Sequence, residues 1–142
     1  MPLVGGGGAP NVSGGSNPAG TGSGISYIGN HGYAYSGAIA TDDTNFATHL
    51  DFTTGASYLM GQIDFTGPAK ESDVADGALA LFQVKFDDQT VMEPKVSSNP
   101  EAMPANYHAS ILIPPYTRVV VGCKAASGSQ ITTVSIVGRV YA

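Results

Sequence analysis

The chain has 142 residues and a formal net charge of −5, with only 12% of its residues charged. That length allows one domain with a core large enough to stand without metal or disulfides. The acidic balance excludes nucleic-acid binding through a basic patch, and the single cysteine, Cys123, excludes a disulfide framework or a cysteine-based zinc site.

The first segment, residues 1–24, holds nine glycines, including the run Gly5-Gly6-Gly7-Gly8, and three prolines. Its only sizeable apolar side chains are Met1, Leu3, Val4 and Val12. Fixing such a segment costs on the order of 25–50 kcal/mol in backbone entropy. Burial of its four apolar side chains returns roughly 6–10 kcal/mol. The segment therefore reads as an arm, without fixed structure alone and ordered only against neighbours through Leu3, Val4, Gly5, Gly6, Gly7, Gly8 and Val12. The glycine run is no phosphate cradle, because no lysine follows it and no strand–helix frame surrounds it. The N-terminus lacks the charged start and apolar run of a signal peptide, so cytosolic synthesis is expected. Asn11-Val12-Ser13 fits a glycosylation sequon, but no signal peptide supports it.

From Ile25 to Ala142 the apolar residues follow a period of two. The spacing predicts eight short strands at residues 32–40, 46–53, 57–66, 78–86, 89–96, 107–113, 117–125 and 130–141. Phe46, Leu50 and Phe52 are expected on one face, with His49 and Asp51 opposite. Leu59, Ile63 and Phe65 oppose Met60, Gln62 and Asp64; Phe82, Val84 and Phe86 oppose Gln83 and Lys85; Val134, Ile136 and Val140 oppose Ser135 and Arg139. Turns are expected at Thr41 to Asn45, at Thr53 to Ala56 with Gly55 free to take positive φ, at Asp87-Asp88-Gln89, at Ile113-Pro114-Pro115-Tyr116 and at Ala126 to Ser129. A helical turn fits only in Glu71 to Leu81, and Val96 to Asn106 reads as a long proline-bearing loop. The fold class is all-β: an antiparallel β-sandwich, jelly-roll-like, residues 25–142, behind the arm at 1–24.

Few residues offer chemistry. His31, His49 and His108 share no metal-ligand spacing, and surface positions are expected for His31 and His49. Cys123 shares a face with Val119 and Val121, which reads as a buried structural thiol. Asp42-Asp43 and Asp87-Asp88 are turn carboxylates, read as solvated rather than as calcium ligands. No nucleophile elbow or paired catalytic carboxylates stand out, so no enzyme, cofactor or metal is expected. Seven tyrosines and no tryptophan leave rings as the main recognition groups. Tyr33, Tyr35, Tyr107 and Tyr116 are the candidates for an interface or ligand-binding cluster.

Four segments carry a resemblance: Leu50-Asp51-Phe52-Thr53-Thr54-Gly55, Gly61-Gln62-Ile63-Asp64-Phe65, Ile113-Pro114-Pro115-Tyr116-Thr117 and Gly138-Arg139-Val140-Tyr141. In order and spacing, residues 46–142 resemble small jelly-roll, capsid-associated proteins of tailed bacteriophages, decoration or minor capsid subunits. The resemblance implies a virion structural protein made in the host cytoplasm and located in the virion. It implies a homo-oligomer, trimers being common among such jelly rolls, with other capsid proteins as partners and neither nucleic acid nor membrane. A jelly-roll major capsid subunit is a close variant. The alternative is a receptor- or carbohydrate-binding head on a viral fibre, with a host surface glycan as partner.

Overall fold

The structure, a computed structural model, describes residues 24–69, 79–97, 106–126 and 128–141. The arm's proposed contacts, the body of the expected helical turn and most of the proline-bearing loop lie outside them. Eleven strands run in chain order: β1 (Ser26–Ile28), β2 (His31–Tyr35), β3 (Ile39–Thr41), β4 (Ala47–Thr53), β5 (Tyr58–Ala69), β6 (Leu79–Phe86), β7 (Gln89–Met92), β8 (Lys95–Ser97), β9 (Asn106–Ile113), β10 (Arg118–Ala125) and β11 (Gln130–Tyr141).

All eight expected strands are present, two of them divided. Residues 32–40 split into β2 and β3 around Gly37, whose φ of 70° leaves the extended region. Residues 89–96 split into β7 and β8 at Pro94, which has no N–H for the ladder. Its carbonyl still accepts from the Phe82 amide at 2.9 Å. Short β1 pairs with β2 and was not expected from the pattern. Residues 79–81, at the end of the expected helical turn, are strand.

The strands form two antiparallel sheets. The larger runs β1-β2-β11-β5-β9, with β3 also on β11; the smaller runs β4-β10-β6-β7, with β8 on β6. From β3 onward every connection crosses between the sheets except the β6–β7–β8 run. That alternation is the jelly-roll arrangement, in which hairpins are few because successive strands sit in opposite layers. Two hairpins have two-residue turns: Gly29-Asn30 joins β1 to β2, and Asp87-Asp88 joins β6 to β7 with φ 46° and 66°, the paired positive values of a type I′ turn.

The core lies between the sheets. Leu50, Phe52, Leu59, Ile63, Phe65, Phe82, Val84, Ile113, Val119, Val121, Val134 and Ile136 are buried there, as the alternation requires. The Phe65 and Phe82 rings meet across the layers at 4.9 Å.

Two expectations fail in β4, for one reason. His49 is 1% exposed, and Phe46 is 39% exposed on the outside. The register with β10 slips between Val121 and Gly122, so Leu50 faces Val121 while Thr48 faces Gly122. His49 is the extra residue of a β-bulge, which lets it point inward beside Leu50 and inverts the alternation upstream. Phe46 then falls on the outer face, against Gly122, where an added Cβ would sit 3.3 Å from the Phe46 Cβ.

Inside the core, the His49 Nδ1 lies 3.0 Å from the Ala47 carbonyl and its Nε2 lies 2.7 Å from the Thr132 hydroxyl. A carbonyl only accepts, so Nδ1 carries the proton and Thr132 donates to Nε2. The thiol of Cys123 also bonds to Thr132, and burial pushes its pKa up to about 11. The inert, buried thiol expected from the sequence is what the fold provides. Burial is also the main cause that lowers the His49 pKa below 6.5.

Gly55 is not among the positive-φ residues; Tyr116 is, at 53°. The rigid Pro114-Pro115 pair forces the chain to reverse at the next residue. The Tyr116 amide donates to the Gly55 carbonyl at 2.9 Å, so the two turns are bonded together. Buried Thr54 fastens them further: its hydroxyl donates to the Pro114 carbonyl at 2.7 Å and accepts from the Thr117 amide at 2.9 Å. Thr54→Val keeps the shape but strands both partners. It is expected to lower unfolding free energy by about 1–3 kcal/mol in a urea titration, with the m-value unchanged.

Three glycines sit side by side in the larger sheet: Gly32 pairs with Gly138, and Gly138 with Gly61. They face inward, between the buried rows of Leu59 and Ile63. A Cβ on Gly61 would overlap the Val137 carbonyl and the Gly138 Cα; one on Gly138 would lie 2.7 Å from the Met60 carbonyl. The Tyr27 ring covers Gly32, its Cε1 3.1 Å from where a Cβ would stand.

Candidate interaction surface

The outward side chains of the larger sheet follow from its register. One row runs Ile28, His31, Arg139, Met60, Leu112; the next runs Tyr33, Val137, Gln62, Ser110; the third runs Tyr35, Ser135, Asp64, His108. Beyond the first row, Tyr141 pairs with Tyr58. Ile28, Met60, Leu112 and Val137 are exposed, as are Tyr35, Tyr58 and Tyr141. Most of the exposed large apolar side chains among the described residues thus share one face, interleaved with the polar groups an antiparallel sheet usually shows there.

Charge on this face is sparse. Among the described outward positions only Asp64 and Arg139 carry a formal charge. Arg139 is held in place: its guanidinium carbon lies 5.5 Å from the centre of the Tyr141 ring. The Asn30 amide oxygen, in the orientation that satisfies both partners, accepts from Arg139 Nε at 3.2 Å. Asp64 accepts from the Gln62 amide at 2.8 Å.

The four candidate tyrosines do not converge. Tyr33 and Tyr35 are neighbours on β2, with ring centres 5.5 Å apart and tilted by 37°. Tyr107 lies on β9, with β11 and β5 between it and β2, in an inward row where it stacks on Phe65 at 6.1 Å. Tyr116 stands at the proline turn between β9 and β10, 72% exposed. The sequence missed Ile28, Met60, Leu112 and Val137 as surface groups acting together. Alternation marks each as outward, but only the strand order shows that they adjoin.

The remaining polar groups are structural. Asp42 Oδ1 accepts from the amides of Thr44 and Asn45 at 2.8 and 2.9 Å, and these bonds hold its pKa below 3.8. Arg118 makes a two-bond pair with Asp51, at 3.0 and 2.9 Å, on the outer face of the smaller sheet. Among the described residues, no three His, Cys, Asp or Glu side chains come together to hold a metal ion. No described helix is long and apolar enough to cross a membrane.

Compared with known proteins, the chain matches no protein-family model and no curated protein sequence. Its class is given by its architecture: a jelly-roll-like β-sandwich with an apolar outer face on the larger sheet.

Proposed function

We propose that this chain is a virion structural protein: a capsid decoration or minor capsid subunit that stabilises a shell through subunit contacts. The observation that carries this reading is the outer face of the larger sheet, where Met60, Leu112 and Val137 adjoin and Tyr33, Tyr35, Tyr58 and Tyr141 share the surface, on a low-charge sandwich. A face of that kind favours contact with protein over exposure to water. The glycine-rich sequence of residues 1–24 supports it, since a backbone so free of side chains can lie close against adjoining subunits. Weak contacts repeated by symmetry add up through multivalency, so no cofactor or catalytic group is needed. The partners are other copies of the chain and other capsid proteins, and a jelly-roll major capsid subunit is a variant of the same reading.

Limited proteolysis of the arm, in the free protein and in the native particle, tests the proposal. Protection is expected only in the particle; equal cleavage in both counts against it. A second reading, a glycan-binding head of a viral fibre, is favoured by one observation, the adjacent Tyr33 and Tyr35 rings. A glycan array that returns no ligand removes it.

A further inference from the structure

We infer that the outer face of the six-stranded sheet pairs with the same face of a second copy of this chain across a two-fold axis. The inference concerns the isolated chain in solution and stands whether or not the chain belongs to a particle.

Charge complementarity gives the symmetry. Arg139 lies opposite Met60 and Asp64 lies opposite Ser135, with the row of Val137 and Gln62 between them. A two-fold axis across the strands along that middle row lays the Arg139 row of one copy over the Ser135–Asp64 row of the other. Each Arg139 then meets the other copy's Asp64, one strand over, and the pair occurs twice. Val137 meets Val137 on the axis, and the Gln62 amides face each other with donor and acceptor both available. An isologous contact needs this self-complementarity.

The size fits. Five strands about 4.8 Å apart and nine residues of β11 at about 3.3 Å each outline a face of roughly 700 Å². A standard interface buries about 800 Å² per partner.

The arm is a poorer occupant of the face. Ordering its residues costs about 1–2 kcal/mol each, and it has four apolar side chains to set against that. A second sheet is already ordered and carries no such cost. Ala69, which pairs with Ile131, and Asn106, which pairs with Thr66, stand at the end of the sheet opposite Tyr58, Met60 and Leu112.

Sedimentation velocity of the full chain over a concentration series tests the inference. A monomer–dimer equilibrium is expected. Val137→Lys sets like charges against each other on the axis and is expected to weaken the dimer at least about 100-fold. Asp64→Lys and Arg139→Glu should each weaken it, and together restore it. The arm variant Leu3→Ser with Val4→Ser should leave it unchanged. Leu112→Lys provides a second disruption on another strand should Val137→Lys fail to fold. On the unaltered chain, oxidation of Met60 should fall as concentration rises. A chain monomeric throughout, a trimer, a dimer indifferent to both lysine variants, a double charge reversal that does not restore pairing, or a dimer lost in the arm variant overturns the inference.

Discussion

Gly61→Ala is expected to abolish the larger sheet. The added methyl would occupy the space of the Val137 carbonyl and the Gly138 Cα on the neighbouring strand. Neither is the end of a flexible side chain, so the pairing of β5 with β11 must open to admit it. Overpacking a core costs about 1–3 kcal/mol where side chains can shift, and a backbone obstacle lies beyond that range. Against a total stability of about 5–15 kcal/mol, the variant should be largely unfolded or aggregated at 37 °C. Circular dichroism melting beside Met60→Ala, an exposed neighbour on the same strand, checks this. A Gly61→Ala protein that melts with the parent would show that the strands can separate at no cost there.

The second large effect is on acid stability. His49 is buried, neutral and bonded at both ring nitrogens, and burial lowers its pKa below 6.5. At pH values above 6.5 the ring is neutral folded or unfolded, so its burial carries no protonation penalty. As pH falls below 6.5 the unfolded chain takes up a proton that the folded chain refuses. Stability is then lost progressively until the folded pKa is reached, by at most about 1.4 kcal/mol per pH unit for one proton. Asp42 and Asp51 are held below 3.8, so their contributions are present above that pH and are lost only as the solution becomes more acid. Urea titrations at pH 7, 6 and 5 should show the decline, and His49→Gln, which removes the titrating group, should flatten it. An unchanged slope in that variant would assign the acid sensitivity elsewhere.

The layers of this fold were legible in the sequence because alternation reports burial directly. Leu59, Ile63 and Phe65 needed no knowledge of their partners to be placed inward. His49 was misplaced because a bulge is set by two strands together, and a single strand's pattern cannot reveal the residue that has no opposite number. Gly55 is free to take a positive φ, but it is Tyr116, next to the proline pair, that takes one. The surface was less legible than the core. Tyr33 and Tyr35 stand out because they are two residues apart in the chain, on one face of a strand, whereas Met60, Leu112 and Val137 become neighbours only through the order β11-β5-β9. Tyr107 and Tyr116 carry the same ring but lie elsewhere, one inside an edge row and one at a turn.

Strand β11 lies at the centre of the larger sheet and pairs with β2, β3 and β5, although it is the last described strand in the chain. During synthesis, β2, β3 and β5 leave the ribosome before the strand that joins them exists. Only the β1–β2 and β5–β9 pairs of that layer can form earlier. These pieces stay unjoined until residues 130–141 emerge, and the many distant pairings that follow place the folding of the chain among the slower of small domains.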